Sequence, residues 1–302
     1  NEENLSINYK VNELIIRMGS QDINNGNIRM SLAYELSKES NYDGYAEEIR
    51  SIVFLNGKFY GLGTIAEKYN KSNISKKYSL DDENVEKYKG NSEVSTMESL
   101  DIGELFTSDL NIQKNREMLE EKVDMQNYLL YYAIELLMNN VDWPWKNYEI
   151  WNYTGEYDSS NIYTDGRYRF LLYDVDLAYY TEKNELWDGV GADKLISIFN
   201  ENEYSYFQNV MESSYYKNEF LIIMQDLLNT SFKTDNIEGL IDEEYSKIKD
   251  SVYKFYDNDY ISNSDNSINI LKDNVIEIND RINNHFTDIF GLTDKYHVSI
   301  EA

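Results

Sequence analysis

The chain has 302 residues, 41% of them hydrophobic, enough to bury a sizeable core in one large domain or two small ones. Its formal charge of −27 excludes nucleic acid and anionic lipid headgroups as natural partners; a polyanion such as a nucleotide has to be held through clustered Lys or Arg, or through bound Mg²⁺ or Mn²⁺. With no cysteine and only His285 and His297, thiolate chemistry, a Ser-His-Asp triad and a multi-histidine metal site fall away, which leaves carboxylates, amides, Lys and Arg.

The chain opens Asn1-Glu2-Glu3, without the basic start or apolar stretch of a signal peptide, and the missing Met points to a processed or trimmed chain. Residues 14–18 read as a short buried strand or turn, followed by a polar loop over 19–26. Ile28, Leu32, Ala33 and Leu36 then recur at helical spacing. Residues 50–55 and 58–66 flank Asn56-Gly57, a strong hairpin signal, because Asn-Gly supplies the two positive φ angles of a tight turn. A short helix is expected over 72–78, a polar connection over 80–90 and mostly helix over 95–121. Asp124 is placed to cap a helix running from Met125 to about Asn139. The apolar run within it, 128–138, is too short to span a membrane and is interrupted by Glu135. Strands over 148–153 and 167–173 are joined by a long polar link, and helices follow over 193–200, 204–229, 235–256 and 266–290. The Asn-, Asp- and Ser-rich residues 257–267 read as a loop. This order predicts an α+β fold, with a small β-containing N-terminal lobe over 1–92 and a large mainly helical lobe over 93–302 that carries a central β-hairpin.

Residues 142–176 hold the only proline, Pro144, between Trp143 and Trp145. A residue before proline is pushed out of the helical region, so the helix has to end by Asp142 and leave its carboxylate on a rigid turn, as a proton acceptor requires. Asn147 offers an amide oxygen, and Asp174 and Asp176 offer carboxylates from one face of a strand end. These are hard oxygen ligands suited to Mg²⁺ or Mn²⁺ on a nucleotide phosphate. An acid, an asparagine five residues on, a hairpin and an acid at a strand end is also the layout of a kinase catalytic loop and metal-binding segment. Plainer readings compete: Asn140 and Asp142 as a helix C-cap, the Trp-Pro-Trp cluster as packing, and Asp174-Val175-Asp176 as a surface turn, a Ca²⁺ loop or the metal signature of a nucleotide-sugar enzyme on a parallel sheet. Gly61-Leu62-Gly63-Thr64-Ile65-Ala66 matches a dinucleotide pattern but lies within a hairpin strand and opens no βα turn.

At these residues the chain resembles the CotH kinase family of atypical, secreted or spore-associated kinases. Residues 53–69 are similar to the family's NGxYxGxYxxxEKY segment, and 84–90 to the segment after it. Val123-Asp124-Met125-Gln126-Asn127-Tyr128 resembles its MDvdNFidY helix start. Asn140-Val141-Asp142-Trp143-Pro144-Trp145-Lys146-Asn147 resembles its NtDWPxNN loop, and 169–176 its WRfxxyDxD segment. The resemblance implies a protein-kinase-like fold and ATP-dependent transfer to a protein Ser or Thr. Asp142 would be the catalytic aspartate, and Asn147 and Asp174 the metal ligands, with Asp176 beside them. Glu67 stands where the family has a constant acid that pairs with a phosphate-orienting base. The family's opening RxRGNSS…KKxY segment has no counterpart ahead of Leu14. Lys10, Arg17, Arg29, Lys58 and Lys68 are then the candidate nucleotide-binding cations, Arg29 first, because family members carry arginine there. An extracellular, cell-surface or spore-associated setting is also implied. The alternative is a catalytically inactive coat- or surface-assembly protein that keeps the fold.

Overall fold

In the computed structural model, which describes residues 12–143, 147–181, 193–200 and 204–292, two small antiparallel sheets are joined to a mainly helical chain. Lys10, Pro144, Trp145, Lys146 and His297 lie outside the described residues.

The first sheet orders β1 (Leu14–Arg17), β3 (Lys58–Glu67) and β2 (Glu48–Leu55), with β3 in the middle. Asn56 at φ 51° and Gly57 at φ 76° make the tight turn that Asn-Gly predicts. A bulge between Val53 and Phe54 then shifts the ladder by one residue, so that Arg50 stands opposite Thr64. The expected burial of β1 is not found. Leu14, Ile15 and Ile16 are 52%, 37% and 60% exposed on both faces, because β1 is an edge strand paired on one side only. The dinucleotide-like run lies inside β3, where a Cβ on Gly63 would stand 2.4 Å from the Arg17 carbonyl oxygen. That glycine is there to let β1 approach.

The helix α1 (Arg29–Glu39) buries Ile28, Leu32, Ala33 and Leu36, as their spacing predicts. Next, α2 (Lys71–Lys77) is capped by Asn70, whose side chain accepts from the Asn73 N–H. The expected polar connection over 80–90 is instead strand β4 (Val85–Gly90), which pairs with β5 (Tyr148–Tyr153). Only Val85 and Gly90 of β4 are buried, so no apolar alternation marks it; its ladder partner arrives from far along the chain. β5 pairs in turn with β6 (Arg169–Leu171). Both sheets are antiparallel, so the parallel sheet that a nucleotide-sugar enzyme would need is not found among the described residues.

Helix over 95–121 breaks into α3 (Glu93–Ser99), α4 (Gly103–Phe106) and α5 (Gln113–Glu120). The helix α6 (Met125–Leu137), capped by Asp124, is buried nearly all round, and one apolar cluster runs from Ile28 through α6 to Phe290. After α7 (Lys194–Asn200), the single helix expected over 204–229 is two, α8 (Ser205–Glu212) and α9 (Ser214–Asn229). They part at Ser213, which is extended and donates its hydroxyl to Leu110 O. α10 (Thr234–Phe255) and α11 (Asn258–Phe290) complete the fold. The loop expected over 257–267 is the start of α11. Asp257 caps it by accepting from the Tyr260 N–H, and Ser264, Ile268, Leu271 and Val275 carry one buried stripe through the polar run. The architecture is α+β, divided between the sheets and a mainly helical C-terminal part in the manner of kinase lobes.

Candidate functional site

The loop that carries Asp142 hangs from the end of α6, and asparagines tie it down. Asn139 takes φ 45°, a left-handed conformation that asparagine tolerates. Its Nδ2 donates to Tyr180 O at 2.9 Å, and its Oδ1 accepts from the Lys194 N–H at 3.0 Å. Asn140 donates its backbone N–H to Glu135 O at 3.2 Å and its Nδ2 to Glu135 Oε2 at 2.9 Å. Glu135 is fully buried, and burial pushes its carboxyl up to about 8 against the Asn140 bond and the Lys194 charge. Trp143 is also fully buried and donates Nε1–H to Tyr131 Oη at 2.7 Å. It is a packing anchor, and it fixes the residue before it. Asp142 accepts from Asn147 Nδ2 at 3.1 Å.

The second acidic segment follows β6. The expected strand face shared by Asp174 and Asp176 is not found, because the strand ends at Leu171 and Asp174 sits at φ 59° in a turn. The two carboxylates differ accordingly. Asp174 is partly exposed and its Oδ1 lies 2.6 Å from Arg17 Nη2. Asp176 is 5% exposed and its Oδ2 accepts from the Gln21 N–H at 3.2 Å. Burial and then the Asp174 charge raise the Asp176 carboxyl, while the Gln21 N–H, Arg17 and Ser20 oppose the shift.

Antiparallel pairing of Glu149 with Leu171 brings the start of β5 and the exit from β6 to one end of the ladder. Asn147 and Asp174 therefore leave the sheet at the same end. The Asp142 loop joins them through Val141 N–H to Leu177 O at 3.5 Å and Tyr179 N–H to Met138 O at 2.7 Å. Residues from both acidic segments thus meet at the end of α6.

Of the nucleotide-binding candidates, Arg17 alone pairs with an aspartate of these segments, while Arg29, Glu67 and Lys68 are engaged with other partners. Arg29 is fully buried: its Nη1 donates to Asp22 Oδ1 and Asn25 O, each at 2.7 Å, and its Cζ lies 4.2 Å from the Tyr180 ring centroid. Burial pushes the Asp22 carboxyl up to about 6, with the Arg29 charge opposing. Glu67 is 4% exposed and pairs with Lys77 Nζ at 3.7 Å. Lys68 pairs with Glu13 at 2.8 Å on the exposed side of the small sheet. A small cavity beside Asp176 is lined by Arg17, Ser20, Asp22, Arg50 and Thr64, among others. Arg50 is the residue that sequence reasoning missed.

The donor set can be tested against a divalent cation. Among the described residues no group of three or more acids or histidines forms a ready metal cluster. The segments do offer hard oxygens only, from Asp174, Asp176 and Asn147, and the mutual repulsion of Asp174 and Asp176 is of the kind a bound cation relieves. The donor chemistry fits a hard divalent ion, which would have to displace Arg17 from Asp174.

A small antiparallel sheet in contact with two acidic segments at the end of a buried helix defines a kinase-like α+β protein. The family model described as CotH kinase protein matches residues 75–282, most of the chain, and the chain belongs to the CotH kinase family. Asp142, Asn147, Asp174 and Asp176 fall within the matched span; Arg17, Arg29, Arg50, Glu67 and Lys68 precede it. A comparison with curated proteins gave no match. Among the described residues no helix is long and apolar enough to cross a membrane.

Proposed function

We propose that the chain is an atypical kinase that moves the γ-phosphoryl group of ATP to a Ser or Thr hydroxyl of a protein substrate, with Mg²⁺ or Mn²⁺. The observation that carries this reading is the Asn147–Asp142 hydrogen bond, held at the same end of the β5–β6 ladder as Asp174. The substrate oxygen attacks the γ-phosphorus, and the bond from phosphorus to the β–γ bridging oxygen breaks, its electron pair leaving on ADP. The hydroxyl proton passes to Asp142, which the Asn147 amide orients. Asp174, Asp176 and Asn147 would hold the divalent cation, which when bound offsets the phosphate charge. Positioning and charge neutralisation supply the catalysis, because phosphoryl transfer asks little covalent chemistry of the protein.

A second reading, a catalytically inactive surface- or coat-assembly protein with a kinase-like fold, is favoured by one contact: Arg17 already occupies an oxygen of Asp174. Calorimetric titration of ATP with and without Mn²⁺ or Mg²⁺, on the wild type and on Asp174→Asn, separates the two. Metal-dependent binding lost in the variant supports the kinase. A wild type that binds neither nucleotide nor metal removes it.

A further inference from the structure

On the inner face of the small sheet, three residues stand in one cross-strand row. Arg17 in β1 lies opposite Thr64 in β3, which lies opposite Arg50 in β2. All three line the cavity that also touches Asp22 and Asp176. Thr64 is 2% exposed and its hydroxyl has no protein partner; nor does Arg50 Nε, although Arg50 Nη2 donates to Asn27 O at 2.5 Å. The cavity, about 10 Å³, has room for about one water molecule. Two arginines thus line a cavity that Asp176 also lines, and Arg17 alone reaches Asp174, in a chain whose formal charge is −27.

We propose that Arg17 is the phosphate-contacting cation of this site and, before nucleotide and metal arrive, the internal counter-ion of Asp174, with Arg50 as the second cation of the row. The inference rests on the kinase reading above and extends it to residues outside the matched span.

The argument is one of competing charges. A divalent cation needs the Asp174 carboxylate, and the Arg17 guanidinium sits on it at 2.6 Å. Both cannot hold the same oxygen at close range, because like charges repel. A metal ion that takes Asp174 therefore releases the guanidinium, and a nucleotide phosphate brought by that metal gives its five N–H donors new acceptors. Only the side chain has to move. The β1 backbone stays paired to β3, over Gly63. Arg29 is less suited to this part: its side chain is fully buried and its Nη1 is held by Asp22 and Asn25, although its Nε and Nη2 have no protein partner. The Arg17 side chain, by contrast, keeps 25% of its surface exposed.

The test measures binding of Mn²⁺ alone, and of ATP in saturating Mn²⁺, to the whole chain. In Arg17→Gln, Mn²⁺ alone is expected to bind about 3- to 10-fold more tightly, because its competitor is gone, while ATP binds roughly 10- to 100-fold more weakly, as befits a lost charge-assisted hydrogen bond. Arg50→Gln weakens ATP by a smaller factor and leaves Mn²⁺ alone unchanged. Thermal melting establishes that each variant folds. Should Arg17→Gln fail to fold, Arg17→Lys decides: it keeps the charge but loses the fork, so ATP affinity falls several-fold. Unchanged Mn²⁺ and ATP affinity in the folded Arg17 variant, with both lost in Asp174→Asn, overturns this inference and leaves the kinase reading standing. A wild type that binds neither probe overturns both.

Discussion

Asn147 donates its side-chain amide to Asp142 across 3.1 Å, closing a loop whose intervening Trp143 is fully buried. The bond fixes which way the carboxylate points. If Asp142 accepts the substrate proton, Asp142→Asn should lower phosphoryl transfer by about 10²- to 10⁴-fold while ATP affinity stays near wild type. If Asn147 also holds the metal, Asn147→Ala should lower both transfer and metal affinity, because it removes the orienting donor and a ligand oxygen together. Radiolabelled transfer and calorimetry on the two variants check this. Wild-type transfer by Asp142→Asn would dismiss the aspartate from its role.

Arg29 forms a buried ion pair with Asp22, the last residue of the short 3-10 turn that also carries Ser20 and Gln21. Removing one partner leaves an uncompensated buried charge, which costs about 3–5 kcal/mol. Arg29→Ala should therefore lower the denaturation midpoint strongly, and the double change Arg29→Met with Asp22→Leu should recover much of the loss. A variant of unchanged stability that had lost nucleotide affinity would make Arg29 a direct contact instead.

The legible parts of the chain are those that rest on local signals. The Asn56-Gly57 turn, the Asp124 cap and the spacing of Ile28, Leu32 and Leu36 each act within a few residues, and each forms as read. The missed parts depend on partners far along the chain or on one-residue shifts. β4 shows no alternation because its stability comes from the β5 ladder. The first turns of α11 look like a loop because their exposed face is polar, while their buried stripe joins one that continues far beyond. The Arg17–Thr64–Arg50 row was hidden by the bulge at Val53/Phe54. Counting back from the turn without it sets Arg50 opposite Gly63, and a one-residue slip reverses the faces. At the candidate site, the residue types and spacing of Asp142 and Asn147 could be read from the sequence. The ion pair on Asp174 could not, since it joins residues 157 positions apart.

Gly63 makes that ion pair possible, because its missing side chain leaves room for the Arg17 carbonyl. A methyl group there would meet backbone that cannot rotate aside, so β1 would have to shift. Gly63→Ala should cost about 1–3 kcal/mol, the usual range for overpacking. It should also loosen Arg17 from Asp174, so that Mn²⁺ alone binds more tightly than to the wild type. Denaturant melts and Mn²⁺ titration of the variant read both effects. A variant as stable as the wild type would show that β1 does not need the close approach.

Glu135 links stability to pH at the root of the loop that carries Asp142. Burial holds its carboxyl protonated up to about 8, whereas the unfolded chain releases that proton near 4.5. Between these values the folded state binds more protons than the unfolded state, so stability is full below about pH 4.5 and falls as pH rises toward 8. Glu93, raised by burial to about 7 against bonds from Tyr132 and Tyr128, adds a slope of the same sign. At about 1.4 kcal/mol per pH unit of displacement, Glu135 alone accounts for a few kcal/mol. Glu135→Gln keeps an acceptor for Asn140 and removes the titration. Its denaturation midpoint should vary less between pH 5 and 8 than that of the wild type. Asn140 donates to this carboxyl and favours its charged form, so that bond tightens on ionisation and lessens the slope without reversing it. Parallel pH profiles for the two proteins would rule Glu135 out as the titrating group.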